Sequence, residues 1–198
     1  HRLQKEDVIY DAGRGWYSTL EDTYDLNIAP VEELNRELKE RFPYLEYCLW
    51  STRQIASHYH HVPTKFHYFI YTASDTEKAV YDYLLDEGYN VYQNPRKPDQ
   101  KHLETSKENY IVRSSISKQP CVKHFATIEK LLVDLYVEKN EMNLMGEQEF
   151  IRIFKNMAGR WRIKISKLLS YAGRRKTREK MMGYVSEFLP PEFASVGG

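Results

Sequence analysis

The chain has 198 residues and a formal net charge of +1, with 41% apolar and 29% charged residues, the proportions of an ordinary globular domain. That length suits one large or two small domains and is enough to bury a substantial core. Sixteen tyrosines and eight phenylalanines argue against disorder, no apolar run is long enough for a membrane-spanning helix, and no apolar signal segment opens the chain, so a cytoplasmic protein with no membrane partner is expected.

The elements follow in chain order. Val8, Ile9 and Tyr10 read as a strand, Asp11-Ala12-Gly13-Arg14-Gly15 as a glycine-rich turn and Trp16-Tyr17-Ser18 as a returning strand, together a two-stranded ribbon. Pro30 opens a helix whose Val31, Leu34, Leu38 and Phe42 form one apolar stripe, ended by Pro43. "YLEYCLWS" is a strand and "TRQIASHY" a short helix. "TKFHYFIYT", residues 64 to 72, is nearly continuous in aromatic and β-branched residues, as a central strand covered on both faces would be.

Ser74-Asp75-Thr76-Glu77 has capping-box spacing and predicts a helix carrying Val80, Tyr83 and Leu84, stopped at Gly88. "NVYQ" is a short strand, Asn94 to Gln100 a polar loop and "NYIVRSSIS" a further strand. From Ala126 the chain reads as helical. Ile128, Leu131, Leu132 and Leu135 mark one helix, Phe150, Phe154 and Met157 a second, Ile165, Leu168 and Leu169 a third ended by Gly173, and Met181, Met182, Val185 and Phe188 a fourth. This order predicts a mixed α/β (α+β) fold: a ribbon, a small mixed sheet with flanking helices, and a helical C-terminal part.

Charge is unevenly distributed. Acids dominate from Glu21 to Glu46, whereas from Arg152 to Lys180 only Glu179 opposes a long series of bases. Such asymmetry points to an anionic partner for the C-terminal part. In "GRWRIK" the charges of Arg160, Arg162 and Lys164 alternate, so an extended segment would present them on one face, and Arg174, Arg175, Lys176 and Arg178 are expected to open the last helix. Arginine suits bidentate phosphate contacts, and these residues make a candidate phosphate or partner surface. A solvated basic face is the plain alternative.

Chemistry-bearing motifs are sparse. His58, His60 and His61, with His67 on the next strand, have metal-ligand residue types but neither an HExxH pattern nor a cysteine pairing, and no metal site is assigned. Cys48 and Cys121 lie far apart without metal-ligand spacing and are expected to be free thiols. No P-loop, G-x-G-x-x-G or G-x-S-x-G occurs, so no cofactor and no catalytic residues are expected. A metal-dependent nuclease would need acids and a lysine on adjacent strands. Glu46 and Asp134 are the acids considered, and Asp134 reads better as a polar residue flanking a buried stripe.

The phrase "HRLQKEDVIYDAGRGWYS" has the form of the end of a winged-helix domain: Arg2, Leu3 and Lys5 as a helix end, then strand, tight turn and strand, with Arg14 carried at the tip. A simple hairpin packed on the α/β body is the competing reading. The phrase resembles the end of the winged-helix segment of AbiEi-type antitoxins, from type IV toxin-antitoxin (abortive infection) systems. "PYLEYCLWSTRQIASHY", "YIVRSSIS" and "ATIEKLLVDLY" look like successive landmarks of that family's C-terminal domain, and "RIKISKLLSYAGRRKTREKM" is similar to its closing helices.

The resemblance implies that residues 1–22 end a truncated winged helix and residues 23–198 form an antitoxin-type α/β domain. It implies a non-enzymatic bacterial transcriptional regulator. Arg2, Lys5, Arg14 and Trp16 would face promoter DNA in the intact protein, and the C-terminal domain would counteract a nucleotidyltransferase-like toxin. The alternatives are a restriction-endonuclease-like nucleic-acid enzyme, and an interaction module that uses exposed aromatics such as Trp50 or Tyr59.

Overall fold

The computed structural model of the chain describes residues 9–96 and 107–189. Among the described residues two sheets are present: a ribbon of β1 (Tyr10–Asp11) and β2 (Tyr17–Ser18), and a six-stranded mixed sheet in the order β5-β6-β4-β3-β8-β7. The large sheet is built from β3 (Tyr47–Ser51), β4 (His67–Thr72), β5 (Val91–Gln93), β6 (Asn109–Ser114), β7 (Cys121–Val122) and β8 (Phe125–Ala126). β4, β5 and β6 run parallel, β3 is antiparallel to β4, and the β7/β8 hairpin joins through a parallel pairing of Leu49 with Phe125. The mixed α/β architecture read from the sequence is the one observed.

"HYFIYT" is interior to the sheet because both of its faces are covered. Tyr68 and Ile70, with Tyr47 and Leu49 of β3, face a cluster that takes Val31, Leu34 and Leu38 from α1 (Ala29–Arg41) and Val80 and Leu84 from α2 (Glu77–Asp86). The alternate residues Phe69 and Tyr71, with Cys48 and Trp50, face the larger cluster. That side is covered by α3 (Ile128–Met142), α4 (Glu147–Ala158), α5 (Ile165–Arg174) and α6 (Arg178–Phe188). Period-two alternation thus feeds two apolar layers from one strand.

Several local expectations are corrected. Trp50 is no exposed aromatic: it is fully buried and stacked on Phe69 with ring centroids 4.2 Å apart. The Ser74–Glu77 capping box does not form, because Thr76 is the N-cap and its hydroxyl turns back to Thr72 and Ala73, while the Glu77 carboxylate reaches across to Ser114 and Asn94. A capping box forms instead at Ser51 and Gln54, where Gln54 Oε1 accepts the Ser51 N–H at 2.8 Å and the 3-10 helix Thr52–His58 begins.

Gly173 lies inside α5 and does not end it; the turn is made at Lys176, with φ +58°. Gly88, in contrast, sits just past α2 at φ +82°, as a helix stop requires. The cysteines are not free: Cys48 and Cys121 form a disulfide with their Cα atoms 6.1 Å apart. The β7/β8 hairpin places Cys121 beside β3, a neighbourhood that cysteine spacing does not encode. Of the loop expected over Asn94 to Gln100, residues 97 to 100 lie outside the described residues. Among the described residues no helix is long and apolar enough to cross a membrane.

Candidate nucleic-acid interface and a buried charge network

The ribbon is docked by its turn. Asp11 Oδ1 accepts the Gly13 N–H at 3.2 Å, Trp16 N donates to Gly13 O at 2.8 Å, and Ala12 is fully buried in the larger core cluster. Gly13 has φ +104° and lies so close to Ser166, in the first turn of α5, that a Cβ there would come within 2.7 Å of the serine Cβ. Gly15, with φ +77°, faces open space. Arg14 between them is exposed, while Trp16 is half-buried against the core. Arg2 and Lys5 lie outside the described residues.

Beside the docked turn is a groove of about 470 Å³ whose lining includes Tyr24, Lys123, Glu129, Arg162, Lys164 and Lys167. Its lining cations are Lys123, Arg162, Lys164 and Lys167, against Asp25 and Glu129, so the groove is electropositive. The segment entering α5 is fixed by its backbone. Arg162 N donates to Asp22 O at 2.7 Å, Thr23 bridges to Arg162 in parallel register, and Lys164 N donates to Glu129 Oε1 at 3.2 Å. These bonds leave the side chains to line the groove. The Arg162 guanidinium carbon lies 5.0 Å from the centre of the Tyr10 ring, and Lys167 Nζ is 3.6 Å from Glu129 Oε2.

The structure divides the basic set predicted from the sequence. Arg162 and Lys164 share the groove, together with Lys123 and Lys167, which the sequence reading did not single out. Arg160 is exposed, and its charge, after burial, contributes to lowering the pKa of His58. Arg174 and Arg175 do not open the last helix. Arg174 ends α5 and donates to Ser170 and to Lys118 O at 2.8 Å, while Arg178 opens α6 and donates back to Leu169 O at 3.2 Å. Arg175 turns inward and belongs to no outer basic face.

That inward arginine joins a network that local sequence patterns did not reveal. Lys130, Asp134 and Glu138 follow one another at four-residue steps on α3, all buried. Lys130 Nζ donates to Asp134 Oδ2 at 2.6 Å and to the Tyr171 hydroxyl at 3.0 Å, and lies 3.7 Å from the centre of the Tyr71 ring. The Tyr171 hydroxyl in turn donates to Asp134 Oδ1 at 2.9 Å, and the Tyr71 hydroxyl to Glu138 Oε1 at 3.0 Å. Arg113 of β6 grips both oxygens of Glu138, at 3.1 and 2.5 Å, and gives its remaining terminal nitrogen to Pro95 O at 2.6 Å. Arg175 closes the ring, with Nε 3.1 Å from Asp134 Oδ1 and Nη2 3.6 Å from Glu138 Oε1.

Burial, and then the Asp134 carboxylate, raises the pKa of both Tyr71 and Tyr171, so both phenols stay protonated donors. Burial lowers the pKa of Lys130, and Asp134 opposes that shift. Asp134 is thus the hub of a buried network and no mere flank of the apolar stripe. With both carboxylates held by cations and phenols, this acid-acid-lysine row on a helix offers no open ligand to a divalent ion.

The histidines are dispersed. His58 is buried, its Nε2 3.4 Å from the Tyr24 hydroxyl, and His60 and His61 are exposed. His67 Nδ1 lies 3.5 Å from the Asn109 amide, and burial lowers its pKa to about 4. Among the described residues no three His, Cys, Asp or Glu side chains gather where a metal ion could be held.

Residues 1–190 match DUF6577, described as a family of unknown function. No curated protein matches the chain.

Proposed function

We propose that this chain, which belongs to the DUF6577 family, is a non-enzymatic regulator of the antitoxin type that binds nucleic-acid phosphates through the ribbon tip and the adjoining groove. The observation that supports the reading is the docking of the ribbon turn on Ser166, which in sequence lies between Lys164 and Lys167, two of the cations that line the groove with Lys123 and Arg162. Lysine and arginine side chains along one surface track a phosphate backbone and need no base contacts to do so. The likeness of "RLQKEDVIYDAGRGWYS" to the wing of AbiEi-type antitoxins supports the same face. In this reading the rest of the α/β body serves a protein partner, a nucleotidyltransferase-like toxin, in a cytoplasmic operon that the regulator represses.

Electrophoretic mobility shift with the whole protein and its own promoter at low salt tests the nucleic-acid part. Binding is expected, and Arg14→Ala combined with Lys167→Ala should weaken it while lowering the slope of log K against log salt by ~0.9 for each phosphate no longer neutralised. Arg14 is exposed and Lys167 half-buried against Glu129, so circular dichroism should first show the double variant folded. Absence of binding by the whole protein at low salt rejects the assignment. Co-expression with a nucleotidyltransferase encoded beside it should restore growth, and continued growth arrest rejects the antitoxin part.

A further inference from the structure

We propose that the Cys48–Cys121 bond is a redox-active site, opened by a dithiol reductant that attacks Cys121, and that opening it releases the β7/β8 hairpin from β3. The two sulfurs stand in unlike surroundings. Cys48 is fully buried in the larger core cluster, whereas Cys121 is partly exposed on β7, an edge strand of the sheet. Cys121 also lines a cleft of about 580 Å³ with Glu46, Ser115, Lys118, Lys123 and His124. Lys118 and Lys123 are exposed and outnumber Glu46 there, so the cleft favours the approach of a thiolate, the form of a thiol that attacks a disulfide. An accessible sulfur beside cations, paired with a buried one, is the arrangement of a reactive cysteine and its resolving partner.

The exchange balances. A reductant thiolate bonds to Cys121 Sγ as the S–S bond breaks, and the electron pair of that bond goes to Cys48 Sγ, which takes a proton. The second thiol of the reductant then attacks its own sulfur in the mixed disulfide, releasing Cys121 and closing the reductant's disulfide. Two electrons and two protons pass to the protein. Reduced Cys48 remains in the core as a small apolar residue, and Cys121 loses its tether. The hairpin is then joined to β3 by the Leu49 N–H bond to His124 O, at 2.7 Å, and by the Tyr47–His124 stack, with ring centroids 4.2 Å apart. Its turn is held against preference, since Lys123 and His124 have φ of +48° and +72°. Val122, Lys123, Phe125 and Ala126 of this hairpin also line the 470 Å³ groove, so reduction loosens one wall of that groove whatever ligand occupies it.

The test uses the whole native protein, first oxidised with glutathione disulfide and then treated with dithiothreitol without denaturant. Free thiols, counted by alkylation, should rise from none to two while tryptophan fluorescence stays that of the folded protein. Amide exchange at Leu49, whose N–H binds the hairpin, should then quicken on the order of tenfold. Exchange at Tyr110, whose N–H pairs with Asn90 O near the opposite edge of the sheet, should change far less. Single-cysteine variants read the asymmetry of the two sulfurs. With iodoacetamide, Cys121 in Cys48→Ser should react at least ~tenfold faster than Cys48 in Cys121→Ser. A bond that does not form, thiols released only after urea unfolding, equal reaction of the two cysteines, or exchange that quickens equally at Leu49 and Tyr110 would each overturn the proposal. None of these readouts involves nucleic acid, so the outcome is independent of the phosphate-binding assignment.

Discussion

Asp134 and Lys130 are both fully buried, yet they are not equivalent partners. Asp134 accepts from Lys130 and Tyr171 and lies against Arg175, whereas the principal anionic partner of Lys130 is Asp134 itself. Removing the shared anion therefore strands Lys130 and leaves Arg175 with Glu138 alone; removing Lys130 leaves the anion with two partners. Breaking a buried pair so that a charge is left uncompensated costs about 3–5 kcal/mol, and the cost is lower where the remaining charge keeps other partners, as Asp134 would keep Tyr171 and Arg175. Asp134→Asn should thus lower the unfolding free energy by about 3 kcal/mol, and Lys130→Met by about 1 kcal/mol. Urea unfolding measures both. A Lys130→Met variant as destabilised as Asp134→Asn would show that Asp134 is not the hub. The four-residue spacing of Lys130, Asp134 and Glu138 was visible in the sequence, but a charged row beside an apolar stripe ordinarily reads as a solvated helix face. What buries it comes from β4, β6 and the end of α5, through Tyr71, Arg113, Tyr171 and Arg175, and no local pattern announces pairings between distant elements.

At the scale of elements, the ribbon was legible because glycine, arginine, glycine between two short β-prone runs has few other conformations to adopt. Its docking was not legible, since it depends on the small side chain of Ser166 more than a hundred residues away. The two glycines separate these levels. Gly15 needs only its positive φ, so Gly15→Ala should cost about 1 kcal/mol of backbone strain. Gly13 needs the positive φ and the empty space, so Gly13→Ala should add about 1–3 kcal/mol of overpacking against Ser166 and loosen the turn from α5. Thermal denaturation gives the order of the two, and hydrogen exchange at Ala12 and Trp16 reports the loosening. Equal costs would mean that the ribbon turn does not bear on α5. The long helices were legible for a complementary reason: each carries enough turns for its apolar period to repeat. β7 and β8, with two residues each, offer no period at all, and Ala126 was absorbed into the helix that follows it.

For the molecule as a whole, the same short hairpin decides the state of the cysteines. Cys48 lies on β3 and Cys121 on β7, with β8 between those strands, so the bond ties the N-terminal half of the sheet to a hairpin 73 residues further along the chain. β4, α2, β5 and β6 all lie within the closed loop. Cross-linking a loop of that length removes conformational freedom chiefly from the unfolded chain and is worth about 4 kcal/mol on the loop-entropy account. The comparison to make is urea unfolding of the parent with and without dithiothreitol, alongside Cys121→Ser, with thiols counted in the unfolded state. The oxidised parent should contain no free thiol and unfold at the highest urea concentration. Reduced parent and variant should coincide at a lower midpoint with a steeper dependence on urea, because an unfolded chain without the cross-link exposes more surface. Two free thiols in the protein purified without reductant, or midpoints indifferent to reduction, would show that the sheet closes without the bond. The expectation of free thiols followed from spacing alone, and spacing carries no information about a partner that only the fold brings near.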